Sequence, residues 1–162
     1  KGFSVCHVDS AKGMVELAKE NVKLNGLSET EVRWIVDDVR KFVSREIKRG
    51  RKYDAFILDP PEFGRETGKE IWKLEEHLGK LLEDLMILCD GNPLFVFLTC
   101  YSNGFTPSLL ERILRSYISS KDFFTKFELK IPESPGNIFS SNGACAIFIS
   151  NKLSLHQINL GD

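Results

Sequence analysis

Apolar positions along the chain switch repeatedly between two spacings. Short continuous apolar runs read as buried strands, and stretches with apolar residues three and four apart read as amphipathic helices. Phe3-Ser4-Val5-Cys6-His7-Val8 predicts a strand ending at Asp9. Ser10 is placed to cap a helix over 11–24, whose Met14, Leu17, Ala18 and Val22 recur at helical spacing. Asn25-Gly26 stops it, because both residues tolerate a positive φ. A second strand is predicted at Val32-Arg33-Trp34-Ile35-Val36, then a helix with Val39, Phe42, Val43 and Ile47 on one face. The basic run Arg45 to Lys52, interrupted by Gly50, suits the negative end of that helix and reads as solvated surface.

The same alternation continues. Tyr53 to Leu58 predicts a third strand, halted at Asp59-Pro60-Pro61 because two prolines cannot continue a central ladder. A polar loop runs from Glu62 to about Glu70. Leu74, Leu78, Leu81, Leu82, Leu85 and Leu88 then form one helical stripe, and Gly91-Asn92-Pro93 turns into a fourth strand, Leu94 to Leu98. Past Thr99-Cys100-Tyr101-Ser102-Asn103-Gly104, Thr106 caps a helix with Pro107 in its first turn. Its buried face is read as Leu109, Leu110, Ile113, Leu114, Tyr117 and Ile118. Strands near 127–131 and 144–149 follow with no helix between them, so they are expected to pair as a hairpin.

Strands apolar on both faces, alternating with amphipathic helices, predict an α/β fold: a parallel sheet covered on both sides. One domain over 1–151 and a polar tail over 152–162 are expected, with no repeat and no linker. Such sheets bind ligands beyond the carboxyl ends of their strands. The informative residues are therefore Asp9, Asp37-Asp38, Asp59-Pro60-Pro61 and Thr99 to Ser102.

Composition narrows the classes. The chain has 162 residues with 22 Lys+Arg against 23 Asp+Glu, a net charge of -1, which argues against nucleic-acid binding by bulk electrostatics alone. Apolar residues at 42% and charged residues at 28% exclude a disordered tail or a disulfide scaffold. No apolar run approaches the roughly 20 residues that span a bilayer. Cys6, Cys89, Cys100 and Cys145 form no CxxC pair, so no metal site is expected, and a reduced intracellular protein, cytoplasmic or organellar, is the reading. The chain opens at Lys1 rather than Met and enters a strand almost at once, which predicts a fragment of a longer protein, any targeting segment of which lies outside this sequence. His7, His77 and His156 are scattered, with no visible partner for acid–base work.

Each strand-end residue has a structural and a chemical reading. Asp9 suits the two hydroxyls of a ribose, or else helps to start the next helix. Asp38 suits an adenine amino group, or else caps its helix. The proline pair fixes a loop that aims Asp59 at a substrate, and Phe63 offers a face for a flat base.

Taken with their flanks, these segments resemble a known family. His7-Val8-Asp9, Asn25-Gly26-Leu27, Trp34 to Asp38, Tyr53-Asp54, Asp59-Pro60-Pro61-Glu62-Phe63-Gly64 and Trp72-Lys73-Leu74 are similar to S-adenosylmethionine-dependent methyltransferases of the large-subunit ribosomal RNA cytosine-5 type. The resemblance covers nearly the whole chain. It implies a Rossmann-like sheet in the order 3-2-1-4-5-7-6, with strand 7 antiparallel and the strands seen here being 2 to 7. It implies S-adenosylmethionine as cofactor and RNA, of ribosomal type, as substrate. Asp9 and Ser10 would meet the ribose, Asp38 and Val39 the adenine, and Asp59 both cofactor and target base. Pro60, Pro61 and Phe63 would face that base.

The resemblance also implies a chemistry. A thiolate adds to cytosine C6, C5 then takes the methyl group, and a base removes the C5 proton before the enzyme leaves. Cys100 matches the nucleophile's position, although Tyr101 separates it from Ser102. Asp59 would hold the cytosine amino group and assist proton transfer. Arg65, Lys69 and the basic run could meet phosphates. Strand 1 and its Gly-rich turn are absent from the sequence, which predicts unpaired strand edges, each lost bond costing roughly 1–3 kcal/mol, and weak cofactor binding by this stretch alone. The competing readings are methyl transfer to a base nitrogen or small acceptor, a non-catalytic RNA-binding or scaffold protein, and, weakest, a dehydrogenase using Asp9 for NAD.

Overall fold

The computed structural model describes residues 3–27, 32–64, 72–119, 121–132 and 139–153. Arg65, Lys69, His156 and the expected tail beyond Leu153 lie outside the described residues. The chain forms two compact units, Lys1–Arg49 and Gly50–Asp162.

The first unit is a βαβα segment. β1 (Val5–Asp9) and β2 (Val32–Val36) pair in parallel, in register from Val5↔Val32 to Asp9↔Val36. The connecting helix α1 (Lys12–Leu24) buries Val15, with Ala18, Lys19 and Val22 half-buried on the same side. Met14 and Leu17, expected inside, are 52% and 47% exposed. The helical period was read correctly, but the buried stripe runs through Val15 and Val22, one position on from Met14. Gly26 does carry the positive φ (64°) that ends the helix. Helix α2 (Val39–Lys48) buries Phe42 and Val43 as expected, and also Glu46, which no apolar pattern could reveal.

The second unit holds a four-stranded sheet in the order β3-β6-β8-β7. β3 (Ala55–Leu58) lies parallel to β6 (Phe95–Cys100), and β8 (Phe139–Ile149) runs antiparallel to both β6 and β7 (Phe123–Pro132). The expected terminal hairpin is therefore present, with longer strands and a register shift between Leu129 and Lys130. In the numbering of the resemblance these four are strands 4, 5, 7 and 6. The described residues form separate ladders: β1 with β2, the four strands above, and a two-stranded pair described below.

Helix α3 (Leu74–Leu88) buries the six leucines of the expected stripe. Helix α4 (Pro107–Tyr117) begins as its sequence demands: Thr106 accepts from the Leu109 N–H, and Pro107 occupies the first turn. Its Leu110 and Leu114 are fully buried. One small element was not foreseen. β4 (Phe63–Gly64) and β5 (Trp72–Lys73) pair antiparallel, which brings the tryptophan back onto the proline loop.

Candidate functional site

The strand ends of the first unit bring two of the singled-out acids to one edge. The Asp37 N–H donates to the Asp9 backbone carbonyl at 3.0 Å, so the residues after β1 and β2 lie side by side. The Asp9 carboxylate Oδ1 accepts from the Ala11 N–H at 2.7 Å, and Oδ2 has no partner among the described residues. That bond corrects the expectation for Ser10. Ser10 is exposed and caps nothing; Ala11 occupies the N-cap position without a side-chain bond, because Asp9 has already closed the turn.

Asp38 is engaged on both oxygens. Oδ1 accepts from the Arg40 N–H at 2.7 Å and the Lys41 N–H at 3.0 Å, and Oδ2 lies 3.0 Å from the Arg40 guanidinium. Burial alone would push its carboxyl up, but the Arg40 side chain and the two amides outweigh it and hold it below the usual carboxylate range. The capping reading is therefore realised. The N–H of Val39, next in the chain, has no acceptor among the described residues, as befits the first helical position.

In the second unit Asp59 stands at the end of β3, and the hydroxyl of Thr99 at the end of β6 donates to its Oδ1. Thr99 also lies 3.3 Å from the Leu58 carbonyl, so one hydroxyl ties both strand ends together. Asp59, Pro61 and Phe63 are exposed and Pro60 is half-buried. The Pro61 carbonyl accepts from the Trp72 indole N–H at 2.7 Å. Thr99, singled out with its strand end, and Trp72, quoted in the resemblance, are given no role by the sequence. Thr99 had a signal, a hydroxyl at the last positions of a strand beside an acid. Trp72 had none, since its pairing depends on the loop between it and Gly64.

Cys100 is not placed as expected. It is the last residue of β6, 1% exposed, and its Sγ accepts from the Ser102 N–H at 3.4 Å. Strand pairing runs two residues past the expected end, Cys100 opposite Ala144, and this draws the thiol inside. Tyr101 follows it, 55% exposed, and Ser102 is buried with an Oγ that has no hydrogen-bond partner among the described residues. Beside this turn lies a cleft of about 340 Å³ between α3 and α4, lined by Leu74, Leu78, Asn103, Phe105 and Leu109. Among the described residues no group of three His, Cys, Asp or Glu side chains is placed to hold a metal, and no helix is long and apolar enough to cross a membrane.

No protein-family model matches the chain. It is 32% identical over 111 residues to ribosomal RNA large subunit methyltransferase I of Tolumonas auensis, covering 68% of this chain and 27% of that protein. The counterpart from Klebsiella pneumoniae is 27% identical over 110 residues, again covering 27% of its length. Among solved structures, an S-adenosylmethionine-dependent methyltransferase from Agrobacterium tumefaciens superposes with a TM-score of 0.79 and 32% identity, over 91% of this chain and 49% of that one. The chain is related to the S-adenosylmethionine-dependent methyltransferases. It spans about a quarter of the length of the curated relatives it matches, 27%. A methyltransferase solved with S-adenosylhomocysteine shares the fold at 21% identity and a TM-score of 0.64. Within that methyltransferase fold, Asp9 and Asp38 share one sheet edge, and Asp59, Thr99 and Tyr101 share another.

Proposed function

We propose that the protein transfers a methyl group from S-adenosylmethionine to a base of large-subunit ribosomal RNA. The observation that carries the reading is the Asp59–Thr99 pair. In a chain similar to ribosomal RNA large subunit methyltransferase I, a carboxylate at a strand end is held by a hydroxyl, while its Oδ2 has no partner among the described residues. A free carboxylate oxygen there accepts from the amino group of a base. S-adenosylmethionine supplies an electrophilic methyl group on its sulfonium.

The residues of the first unit fit the nucleoside part of that cofactor unevenly. Asp9 fits: its open Oδ2 can accept from a ribose hydroxyl. The Val39 N–H can donate to a ring nitrogen. Asp38 fits poorly, since Arg40 already occupies the oxygen that an adenine amino group would use. Ser10, exposed beside Asp9, is left with at most an outer contact. In the second unit, Pro60 and Pro61 stiffen the loop and Phe63 offers an exposed ring beside the base.

On the cytosine-5 form of this reading, Cys100 adds to C6 of the target and leaves after C5 has lost its proton. The burial of that thiol favours a second form, methylation of a base nitrogen, which needs no thiol. The test uses labelled S-adenosylmethionine with large-subunit RNA. Incorporation by the protein, lost in Asp59→Ala, is expected; no incorporation and no binding of S-adenosylhomocysteine overturns the reading. Loss of activity in Cys100→Ala selects the cytosine-5 form, and retention selects the nitrogen form.

A further inference from the structure

Of the three residues that leave β6, only one is presented outward. Cys100 and Ser102 are 1% and 9% exposed, and Tyr101 between them is 55% exposed. The ring of Tyr101 is not loose. It rests against the backbone of β8 at Gly143: a β-carbon built there would stand 2.8 Å from Tyr101 Cδ1, 3.2 Å from Cε1 and 2.8 Å from the Cys100 carbonyl oxygen. Gly143 also has φ 154°, next to the register shift in the β7–β8 ladder. Glycine within a strand marks such a close approach, and here it makes room for an aromatic ring. Thr99, two residues before Tyr101, carries the hydroxyl that holds Asp59, and side chains two apart leave an extended chain on the same side.

We propose that Tyr101 is the platform on which the acceptor base stacks beside Asp59, its ring held in position by the missing side chain of Gly143. The inference rests on the methyltransferase reading and names the class of group that meets this edge: a planar, unpaired heteroaromatic base. A ring held along its Cδ1–Cε1 edge and more than half exposed offers a π-face to any base, while Asp59 reads its amino edge. Desolvation, and after it the Asp59 carboxylate, push the phenol up, so the hydroxyl stays neutral and adds no charge that would repel a nucleotide.

The experiment compares wild type, Tyr101→Ala, Tyr101→Phe and Gly143→Ala in the full chain. It reads KM and kcat for RNA, S-adenosylhomocysteine affinity by calorimetry, and thermal melting. Tyr101→Ala is expected to raise KM for RNA roughly tenfold with cofactor affinity unchanged, and restoring a ring in Tyr101→Phe to bring KM most of the way back. Gly143→Ala should reproduce the alanine phenotype through displacement of the ring. If Gly143→Ala fails to fold, Tyr101→Ala decides alone, since an exposed side chain is removed there. An unchanged KM in Tyr101→Ala overturns the inference, as does a phenylalanine variant as impaired as alanine. A wild-type protein that neither binds S-adenosylhomocysteine nor methylates RNA overturns the methyltransferase reading and this inference together; an active wild type with an indifferent Tyr101→Ala overturns this inference only.

Discussion

The indole N–H of Trp72 donates to the carbonyl of Pro61 at 2.7 Å, joining the proline loop to the start of α3. The same ring lies against His77, with centroids 5.4 Å apart, and the Cβ of Trp72 faces Gly64 so closely that a side chain there would meet it at 3.1 Å. His77 Nδ1 in turn folds back on Lys73, 3.0 Å from its backbone nitrogen and 2.8 Å from its carbonyl oxygen, while the Leu74 N–H that opens α3 donates to the Glu62 carbonyl at 3.1 Å. Trp72→Phe keeps most of the buried area and removes the bond. It is expected to cost about 1 kcal/mol, and Trp72→Ala about 3–5 kcal/mol, both measured by urea unfolding. An equal loss for the two variants would show that the hydrogen bond, not the ring, anchors the loop.

Glu46 is wholly buried, and two half-exposed arginines meet its carboxyl group: Arg33 of β2 at 2.8 Å and Arg49 at 3.0 Å. Breaking a buried pair by removing one partner costs about 3–5 kcal/mol, less where the partner can turn to water. Glu46→Ala should therefore fall at or below that range, and Glu46→Gln, which keeps an acceptor, should lose less. Chemical denaturation of both variants tests the order. A neutral Glu46→Ala would mean that the carboxylate contributes nothing to holding α2 on β2.

These two features show why some of the molecule is legible in sequence and some is not. The α3 stripe, the Thr106-Pro107 start of α4 and β2 at Val32–Val36 stand where local spacing puts them, because spacing and capping act within a few residues. Glu46 is met one turn on by Arg49 and, from thirteen residues back on β2, by Arg33, and no local pattern encodes that second partner. The α1 stripe slipped from Met14 and Leu17 to Val15 because one helical period admits neighbouring faces. At the candidate site, the acids were legible as strand ends. Their hydrogen bonds were not: Asp38 spends its oxygens on α2 and Arg40, and Cys100 turns inward because β6 pairs with β8 to its last residue.

Asp38 gives a pH dependence with a defined sign. Its folded carboxyl lies below the usual value, so the unfolded chain binds the proton more readily. The stabilisation is fully present above the unfolded value of about 3.9 and is lost as pH falls through the folded value. Asp38→Ala should remove roughly 0.5–2 kcal/mol at neutral pH as a lost cap, and it should flatten the acid limb of the stability curve. An acid limb identical in the variant and the parent would show that the Arg40 pairing contributes nothing to folding.

Thiol reactivity separates the four cysteines. Cys6 is half-buried, whereas Cys89, Cys100 and Cys145 are buried, and burial pushes the Cys89 and Cys145 thiols up. Native alkylation at mild alkaline pH should modify Cys6 first, with the other three protected until denaturant is added. Mass spectrometry after a short pulse measures the order. Cys100 labelled as fast as Cys6 would show that the end of β6 opens in solution, the state that the cytosine-5 chemistry requires.

Thr99→Val tests the pair on which the proposed function stands. Valine is close in shape, so the buried site keeps its packing, but the Asp59 carboxylate loses the hydroxyl that aims it and the Leu58 carbonyl loses a neighbour at 3.3 Å. Small misplacement of a group at the reacting centre costs up to about a hundredfold in rate. The expected result is a fall in kcat of roughly tenfold or more with stability lowered by about 1–3 kcal/mol at most, and Thr99→Ser, which keeps the hydroxyl, recovering most of the rate. Steady-state kinetics on RNA alongside thermal melts separate the two effects. A Thr99→Val protein as fast as wild type would mean that Asp59 needs no aiming, and the Asp59–Thr99 pair would then be a structural tie between β3 and β6.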